Sequence, residues 1–502
     1  MKYRQIRWGV FLPPAILFIG CILWNLCDGA GFSALATAFY DWILNYFGWA
    51  FLLTAVVSLG VCVWIYFSPL GRVRIGGPTA KPKLTNWNWF TVTLGTTIAA
   101  GIVFWGAAEP VQHILYPPES SGITAMTAES ARFAMAAIYR HWTVLPYAMY
   151  TLLAVMFAYG CYNMKASFSI GSMMAPLISE KRRGRINGLI DVVCVFSLVT
   201  GLSASLGIGT LSINSGLGRL FGLPSNPAVW LVIIVLVGGI SVISAISGIK
   251  KGITLLSNIN VGIYIFILLF ILCFGGTLFI VSFGIEGAGE FLDTFFSGAL
   301  FTGVLEHDPW TKNWTMYYFG NWMAWTPITA VFLGQISYGR TIREIIKMNL
   351  LLTALFSVLW FMIISGATVN ILFNTPGCGL VEAYQLGYEN VIYQLFKNLP
   401  MAELMVPVYL AAVLISFVTA ADSSTVAITN LCCRQLESET VDSPAYLKVV
   451  WGVIVGIVTW IMMGIGDGLT GIKMLSNIGG LAAMFLIIGV IASAVVLIRK
   501  TK

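Results

Sequence analysis

Apolar runs separated by short polar connections fill the chain from end to end. Twelve of these runs are long enough to cross about 30 Å of hydrocarbon as an α-helix. They lie near residues 8–27, 47–68, 88–108, 142–160, 187–210, 228–248, 252–282, 314–337, 348–373, 403–430, 447–466 and 472–498. The pattern therefore predicts an all-α integral membrane protein with twelve transmembrane helices, in which residues 1–502 form a single polytopic membrane domain.

Composition and charge agree with this prediction. Apolar residues make up 58% of the chain and charged residues only 10%, whereas a soluble domain carries about 25% charged residues. If the first connection is external, all but six of the 28 Lys and Arg residues fall on the inner side, which is the asymmetry typical of cytoplasmic loops. Both termini are then cytoplasmic, and the net charge of +7 indicates anionic lipid headgroups as partners, not nucleic acid. We expect the protein in the cytoplasmic (inner) membrane of a prokaryote.

Candidate catalytic and metal-binding residues are sparse. His113, His141 and His307 fall in external loops or at the ends of apolar runs, and Glu109 and His113 are expected at a solvated external mouth. The nine cysteines show no CxxC spacing. A membrane-embedded enzyme needs a nucleophile and base or a set of metal ligands at membrane depth, so the sequence predicts neither an enzyme nor a bound cofactor or metal.

One apolar run carries many aromatic residues before it ends in a basic loop. The side chains are Trp314, Tyr317, Tyr318, Trp322 and Trp325. The face of an aromatic ring attracts a cation, so inside a bilayer these rings suit a methylated ammonium group that has no N–H to donate. The alternative is a stripe used only for packing, because aromatic rings supply much of the buried area of ordinary cores.

Two of the runs contain residues that interrupt a helix. The run at 88–108 is rich in small residues and threonine, and the run at 314–337 contains Gly320 and Pro327. With residues 1–87 set aside as two extra helices, these runs begin two five-helix groups, 88–282 and 314–498. Interrupted helices in equivalent positions mark the binding sites of transporters built from inverted repeats. Close helix packing through small residues is the alternative for the first of the two runs.

Four segments of the chain resemble the betaine/carnitine/choline transporter (BCCT) family. They are residues 104–110, 141–150, 313–344 and 418–423, and the similarity extends in order over essentially all twelve runs. The resemblance implies a LeuT-like fold of five plus five helices in an inverted repeat, preceded by two extra helices and often assembled as a homotrimer. It also implies transport of quaternary, trimethylated ammonium compounds such as betaine or carnitine.

The resemblance also implies which residues bind the substrate. The aromatic box of the family corresponds to Trp142, Tyr147 and Tyr150, closed by Trp322, and Trp325 would line the cytoplasmic side of the path. Spacings of five and three place the first three residues on one broad face of a helix.

Three positions depart from the family pattern. Asn321 stands where most members have the first of two adjacent tryptophans, Tyr147 replaces a frequent tryptophan, and Gln112 replaces a tyrosine of the carnitine exchangers. The implied site is more polar than usual. A betaine with a polar tail and a less methylated amine that donates hydrogen bonds both stay open as substrates.

The candidate ion-coupling residues fit neither of two family patterns. Sodium-coupled members have a Thr-Ser pair where this chain has Thr419 and Ala420, so one oxygen ligand is missing. Sodium-independent exchangers have an Arg and a Met where this chain has Asn260 and Thr329, whose side chains offer oxygen. Asp422 lies inside a run, where an unpaired charge is expensive, so it is either functional or a paired structural carboxylate.

From these features we expect a secondary transporter that exchanges ammonium compounds without sodium. The missing hydroxyl at Ala420 favours exchange, and the short segments outside the first and last runs favour nutrient uptake or exchange over osmosensing. A betaine symporter that uses Na+ as its coupling ion is the first alternative. A receptor that binds ammonium without translocating it is the second.

Overall fold

The structure is a computed structural model that describes residues 5–97, 101–247, 250–434 and 443–501. Within these ranges the chain forms nineteen α-helices joined by loops and short 3-10 or π turns. The first ten are α1 (Trp8–Cys27), α2 (Gly29–Phe67), α3 (Asn86–Thr97), α4 (Gly101–Leu115), α5 (Ala128–Trp142), α6 (Val144–Ala158), α7 (Glu180–Phe221), α8 (Pro227–Ser247), α9 (Lys250–Phe274) and α10 (Thr277–Asp293). The others are α11 (Phe295–Ala299), α12 (Tyr317–Ile336), α13 (Ile342–Ile346), α14 (Thr353–Asn374), α15 (Leu380–Gln385), α16 (Val391–Lys397), α17 (Ala402–Leu431), α18 (Ala445–Met463) and α19 (Leu469–Lys500).

The membrane class predicted from the apolar runs is confirmed. In the described part of the chain, ten helical segments are long and apolar enough to cross a bilayer, and they correspond to ten of the predicted spans. The other two spans are the runs predicted to be interrupted. The run at 88–108 falls on α3 and α4, with residues 98–100 outside the described residues, and the run at 314–337 falls on α12. The count of twelve spans stays a prediction.

Two predicted boundaries are wrong. The second span begins at Gly29 as part of the long helix α2, far before residue 47. The run at 252–282 is not one helix, because α9 ends at Phe274 and α10 begins at Thr277. Gly276 between them has a φ of +92°, a left-handed conformation that glycine adopts readily and that ends a helix.

The prediction that the run at 314–337 is interrupted is also wrong. α12 continues unbroken from Tyr317 to Ile336, through Gly320 and Pro327. Gly320 instead packs closely against α19. A β-carbon on Gly480 of α19 would lie only 2.2 Å from the backbone oxygen of Gly320. Small residues bring the backbones of membrane helices together in this way.

The helices that position the site lie at the centre of the bundle. The most apolar window of the segment that contains α5 and α6 is 89% buried, against 22% for α1 and 28% for α8. α12 packs against α6 and α19, and α19 also packs against α7 and α2. The central helices are therefore surrounded by protein, while α1 and α8 turn apolar side chains outward, as membrane helices do toward lipid.

Several contacts between the two predicted five-helix groups come in matched pairs. α12 packs on α6 while α4 packs on α14, α7 packs on α18 while α8 packs on α17, and α7 packs on α19 while α9 packs on α17. In each pair, replacing every helix by the helix at the equivalent position of the other group converts the first contact into the second. Two equivalent units produce this pattern, which supports the five-plus-five arrangement. The boundaries 88–282 and 314–498 stay a prediction.

Candidate functional site

Three aromatic residues that were predicted to share one helix lie on two helices. α5 ends at Trp142 and α6 begins after Thr143, which has the non-helical angles φ −121° and ψ −106°. Pro146 follows in the first turn of α6, where its missing N–H breaks no helical hydrogen bond. The break turns the chain between Trp142 and the pair Tyr147 and Tyr150, and all three rings still reach one partner on α12.

That partner is Trp322, and the four rings form one buried cluster, here called the central box. The Trp322 ring centroid lies 5.4 Å from that of Trp142, 5.9 Å from Tyr147 and 5.5 Å from Tyr150. None of the four residues is more than 3% exposed. At these distances the rings contact one another edge to face. A ligand that binds among their faces therefore requires the rings or their helices to move apart.

Hydrogen bonds hold the polar ends of these rings. The indole N–H of Trp322 donates to the backbone oxygen of His141 at 2.9 Å. The Tyr147 hydroxyl pairs with the Ser357 hydroxyl of α14 at 2.6 Å, and the Tyr150 hydroxyl lies near Thr329 of α12. With the Trp322 indole and the Tyr147 hydroxyl bonded in this way, the central box presents mainly ring surface.

A buried carboxylate, Glu109 of α4, stands directly behind the central box. It accepts hydrogen bonds from the Trp142 indole N–H at 2.7 Å and the Tyr318 hydroxyl at 2.6 Å. It also bonds to His141 Nδ1 at 2.6 Å and His113 Nε2 at 3.3 Å. The expectation that Glu109 and His113 lie at a solvated mouth is wrong, because both are fully buried. The connections that follow α4 and α11 cover this end of the helix.

The carboxylate and the two imidazoles offer three donor atoms within 4.8 Å of one another, a spacing that a metal ion can use. Glu109 Oε1 and His141 Nδ1 are already at hydrogen-bond distance, and His141 Nε2 bonds to the Thr315 hydroxyl at 3.0 Å. The three atoms therefore satisfy one another, whereas His113 Nδ1 is buried without a hydrogen-bond partner among the described residues. We therefore interpret the cluster as a hydrogen-bonded brace that fixes the position of Trp142 and Tyr318.

The connection between α11 and α12 packs over this brace. The Trp310 ring lies 5.0 Å from His113 and 6.0 Å from His141. Asp308 anchors the connection by accepting hydrogen bonds from the Ser120 amide and hydroxyl, at 2.9 and 2.6 Å, and from the Trp310 amide at 2.8 Å. Burial alone would raise the pKa of Asp308, but these hydrogen bonds favour the charged form and hold the pKa below its usual range.

Three further residues that the resemblance implies lie outside the ring contacts of the central box. Asn321 is half-buried and adjacent to Trp322 in sequence, so it projects in a different direction from α12. Trp325 is half-buried and packs against α7 at Gly201. Gln112 Oε1 accepts hydrogen bonds from the hydroxyls of Tyr384 and Tyr388, which lie between α14 and α16.

The aromatic stripe at the start of α12 divides into two groups. Tyr318 stacks on His141 at 4.7 Å and contacts Trp142 at 5.1 Å, so it belongs with the central box. Trp314 and Tyr317 belong to a second cluster. Together with Trp105 and Tyr388 they surround the side chain of Lys473.

Two of the candidate ion-coupling residues meet around Ser416 of α17. Asn260 Nδ2 donates to the Ser416 hydroxyl at 2.7 Å, and the Tyr264 hydroxyl lies 2.5 Å from the same oxygen. The Thr419 hydroxyl donates to the backbone oxygens of Ile415 and Ser416. Asn260 Oδ1 is buried and has no hydrogen-bond partner among the described residues. This amide oxygen and the Ser416 hydroxyl are the oxygens that the structure brings together here.

The other two candidates lie in different surroundings. Thr329 lies near the Tyr150 hydroxyl at the central box, whereas Asp422 lies near Ser244 of α8 and the charge of Lys448 of α18. Lys448 itself is buried and donates to the Ala245 backbone oxygen at 2.7 Å. Asp422 Oδ2 is buried and has no hydrogen-bond partner among the described residues, so the choice between a functional and a paired structural carboxylate stays open.

Several of these residues were missed in the sequence. The i,i+4 spacing of Glu109 and His113 was an available signal, since residues so spaced are neighbours on a helix. No local spacing could have paired them with His141, Ser357 or Lys473, which lie on other helices.

Comparisons with known proteins agree with the motifs. The profile described as BCCT, betaine/carnitine/choline family transporter, matches residues 9–502. The Glycine betaine transporter OpuD of Bacillus subtilis (strain 168) is 30% identical over 480 residues, which cover 95% of this chain and 91% of that protein. The High-affinity choline transport protein of Escherichia coli (strain K12) is 30% identical over 453 residues, which cover 90% of this chain and 66% of that longer protein.

Among solved structures, a Na+-coupled sialic acid symporter gives a TM-score of 0.46 at 14% identity, with 88% of this chain and 86% of that chain covered. That likeness is too distant to support an argument. The profile match extends over nearly the whole chain, and its relatives are transporters and not enzymes. This membrane protein therefore belongs to the betaine/carnitine/choline transporter family.

Proposed function

We propose that this protein is a secondary transporter of quaternary ammonium compounds such as betaine, choline or carnitine. The observation that carries the proposal is the central box, in which Trp142, Tyr147 and Tyr150 of one five-helix group meet Trp322 of the other. Two relatives, a glycine betaine transporter and a choline transport protein, support the same substrate class. A site between two groups of helices is also suited to alternating access.

The polar ends of the rings favour a fully methylated ammonium over a less methylated one. An N–H donor placed among the rings needs an acceptor, and the Tyr147 hydroxyl is already paired with Ser357. A buried donor left unpaired costs about 1–3 kcal/mol. A desolvated cation–π contact is worth about 2 kcal/mol, so several contacts around one methylated ammonium support an affinity on the order of micromolar to millimolar after ordering costs.

Counterflow in proteoliposomes tests the proposal. Vesicles loaded with unlabelled glycine betaine, choline or carnitine should transiently accumulate the labelled compound from outside, and protein-free vesicles should not. Accumulation of none of the three compounds by folded protein would contradict the proposed function. Saturable binding without counterflow would support the receptor alternative.

Asn321 is proposed to set selectivity among these substrates. Asn321→Trp restores the adjacent aromatic pair usual in the family, so we expect preference to shift toward glycine betaine and away from carnitine, which has an additional hydroxyl. Competition among betaine, choline, carnitine and γ-butyrobetaine for labelled-substrate binding measures the change. Asn321→Leu is the matched control, because it removes the amide without adding a ring. An unchanged rank order in Asn321→Trp would contradict this role.

We further propose that transport is sodium-independent exchange. A sodium ion stripped of water requires several oxygen ligands, and Ala420 contributes no side-chain oxygen beside Thr419. Uptake into vesicles loaded with unlabelled substrate should therefore proceed at equal rates in sodium and potassium buffers. Uptake into empty vesicles that requires an inward sodium gradient would contradict exchange.

Sodium-coupled symport is the second candidate, and one observation favours it. Asn260 Oδ1 is buried without a partner in the described structure, beside the Ser416 hydroxyl, and such an oxygen is available to a cation. Under symport, Asn260→Ala should raise the sodium concentration needed for half-maximal uptake, whereas Asn374→Ala, at the end of α14, should not. Under exchange, neither substitution introduces a dependence on sodium.

Assembly and membrane orientation are proposed from membership of the family and from the distribution of Lys and Arg along the chain. We infer a homotrimer in the prokaryotic cytoplasmic membrane with both termini on the cytoplasmic side. Light scattering of the detergent-purified protein measures the oligomeric state, and labelling of single cysteines introduced near each terminus measures the orientation. A monomer, or labelling of both termini from outside intact cells, would contradict these inferences.

A further inference from the structure

The hydroxyl side chains of α14 are all buried, and one of them is held differently from the others. Three donate to backbone oxygens at 2.7 to 3.1 Å, and these are Thr353, Ser365 and Thr368. A buried serine or threonine inside a helix commonly uses a carbonyl in this way. Ser357 instead pairs with the Tyr147 hydroxyl at 2.6 Å and donates to no backbone oxygen among the described residues.

The hydroxyl pair of Tyr147 and Ser357 carries one hydrogen more than it uses. Each hydroxyl supplies one O–H donor, and the single bond between the two oxygens takes only one of these hydrogens. Both residues are 0% exposed, and the structure gives neither hydroxyl a second partner within its described residues. A buried donor without an acceptor is costly. The pair therefore has one donor that is available to a ligand.

This donor stands at the wall of the central box. Ser357 and Phe361 are four residues apart on α14, so they are neighbours on one face of the helix. The Phe361 ring lies 5.5 Å from that of Trp142, while Ser357 reaches Tyr147. The wall is thus apolar beside Trp142 and polar beside Tyr147. The unused O–H lies at the edge of the same rings that are suited to an ammonium group.

A carboxylate is the acceptor that suits this position. A betaine carries its carboxylate on the same small molecule as its trimethylammonium group, so rings that bind the ammonium bring the carboxylate to the edge of the box. A carboxylate only accepts hydrogen bonds, and a bond to a charged acceptor is roughly twice as strong as one between neutral groups. Tetramethylammonium has no group that could accept this hydrogen.

We propose that Tyr147 and Ser357 recognise the carboxylate of zwitterionic substrates, and that this contact makes the protein prefer betaines to compounds that carry only a positive charge. When a ligand separates the rings, Trp142, Tyr150 and Trp322 bind the ammonium and the hydroxyl pair donates its free hydrogen to the carboxylate. The inference rests on the proposed function and adds to it the substrate class.

Two probes that differ by the carboxylate test this proposal on the purified full-length protein. Equilibrium dialysis measures the affinities for labelled glycine betaine and labelled tetramethylammonium. The double variant Tyr147→Phe with Ser357→Ala keeps the ring and leaves no hydroxyl unpaired. It should bind glycine betaine about ten-fold more weakly or worse and change the tetramethylammonium affinity by less than about two-fold, because it loses one hydrogen bond to a charged group.

The single variants and a matched control define the role of the pair. Tyr147→Phe and Ser357→Ala each leave one hydroxyl and should fall between the wild type and the double variant. Either one decides the test if the double variant does not fold. Thr368→Val removes a buried α14 hydroxyl that bonds within its own helix, about 16 Å along the axis from Ser357. It should bind both probes like the wild type.

The outcomes separate this proposal from the proposed function. Equal weakening of both probes in the double variant would show that the pair only holds the Tyr147 ring in place, and an unchanged ratio of the two affinities would show that it does not contact the carboxylate. Either result overturns the proposal while wild-type counterflow of glycine betaine still supports the proposed function. Folded wild-type protein that binds neither probe would contradict both.

Discussion

Replacing Trp322 with alanine should weaken ammonium binding by about 30-fold or more, because one desolvated cation–π contact is worth about 2 kcal/mol and each 1.4 kcal/mol is a tenfold change in affinity. Trp322 is the ring that touches the other three members of the central box. Its removal also frees the edges of Trp142 and Tyr150, so the loss extends beyond a single contact. Titration of tryptophan fluorescence with the best substrate measures the affinity.

Two controls separate the role of the ring face from the role of packing. Trp322→Phe keeps a ring face but loses the indole N–H that donates to His141, so it should retain a larger part of the affinity than alanine does. Trp460→Ala removes an indole that also donates to a backbone oxygen, that of Pro227, but lies on α18 outside the central box. It should bind like the wild type. Unchanged affinity in folded Trp322→Ala would remove the central box from the proposed function.

Replacing Glu109 with alanine should lower stability by about 3–5 kcal/mol, the cost of removing one member of a buried charged network. The substitution leaves the Trp142 indole, the Tyr318 hydroxyl and two imidazoles without their shared acceptor. Each buried donor left unpaired carries its own cost. We expect a much lower midpoint of thermal unfolding and, because Trp142 loses its anchor, weaker substrate binding in the protein that does fold.

The matched control is Glu286→Ala. Glu286 also pairs with a basic residue, Arg132 at 3.3 Å, but both side chains are substantially exposed, and exposed pairs contribute about 1 kcal/mol or less. Glu109→Gln retains one acceptor oxygen and should fall between the alanine variant and the wild type. A midpoint for Glu109→Ala equal to that of Glu286→Ala would contradict the brace that we assign to this carboxylate.

The sequence by itself determined the membrane class, most of the spans and the family. These follow from the length and polarity of local segments, because a bilayer requires about twenty apolar residues for each helix and a motif such as residues 141–150 is read within one stretch of chain. The aromatic box residues followed from the same motifs. Local pattern failed where the packing of another helix decided the outcome, as at Gly320, which was predicted to interrupt α12 and instead allows α19 to approach it.

Only the tertiary structure decided which polar and aromatic groups share a partner. Glu109 meets His141 across 32 positions of sequence, Tyr147 meets Ser357 across 210, and the rings around Lys473 come from four other elements. No local spacing encodes such pairs, because each depends on how whole helices cross. The break at Thr143 also depends on packing. Trp142 of α5 and Tyr147 of α6 reach the same ring, Trp322, only because both helices pack against α12. A buried polar group needs its partner wherever the chain supplies it, and in this protein that partner usually lies on another helix.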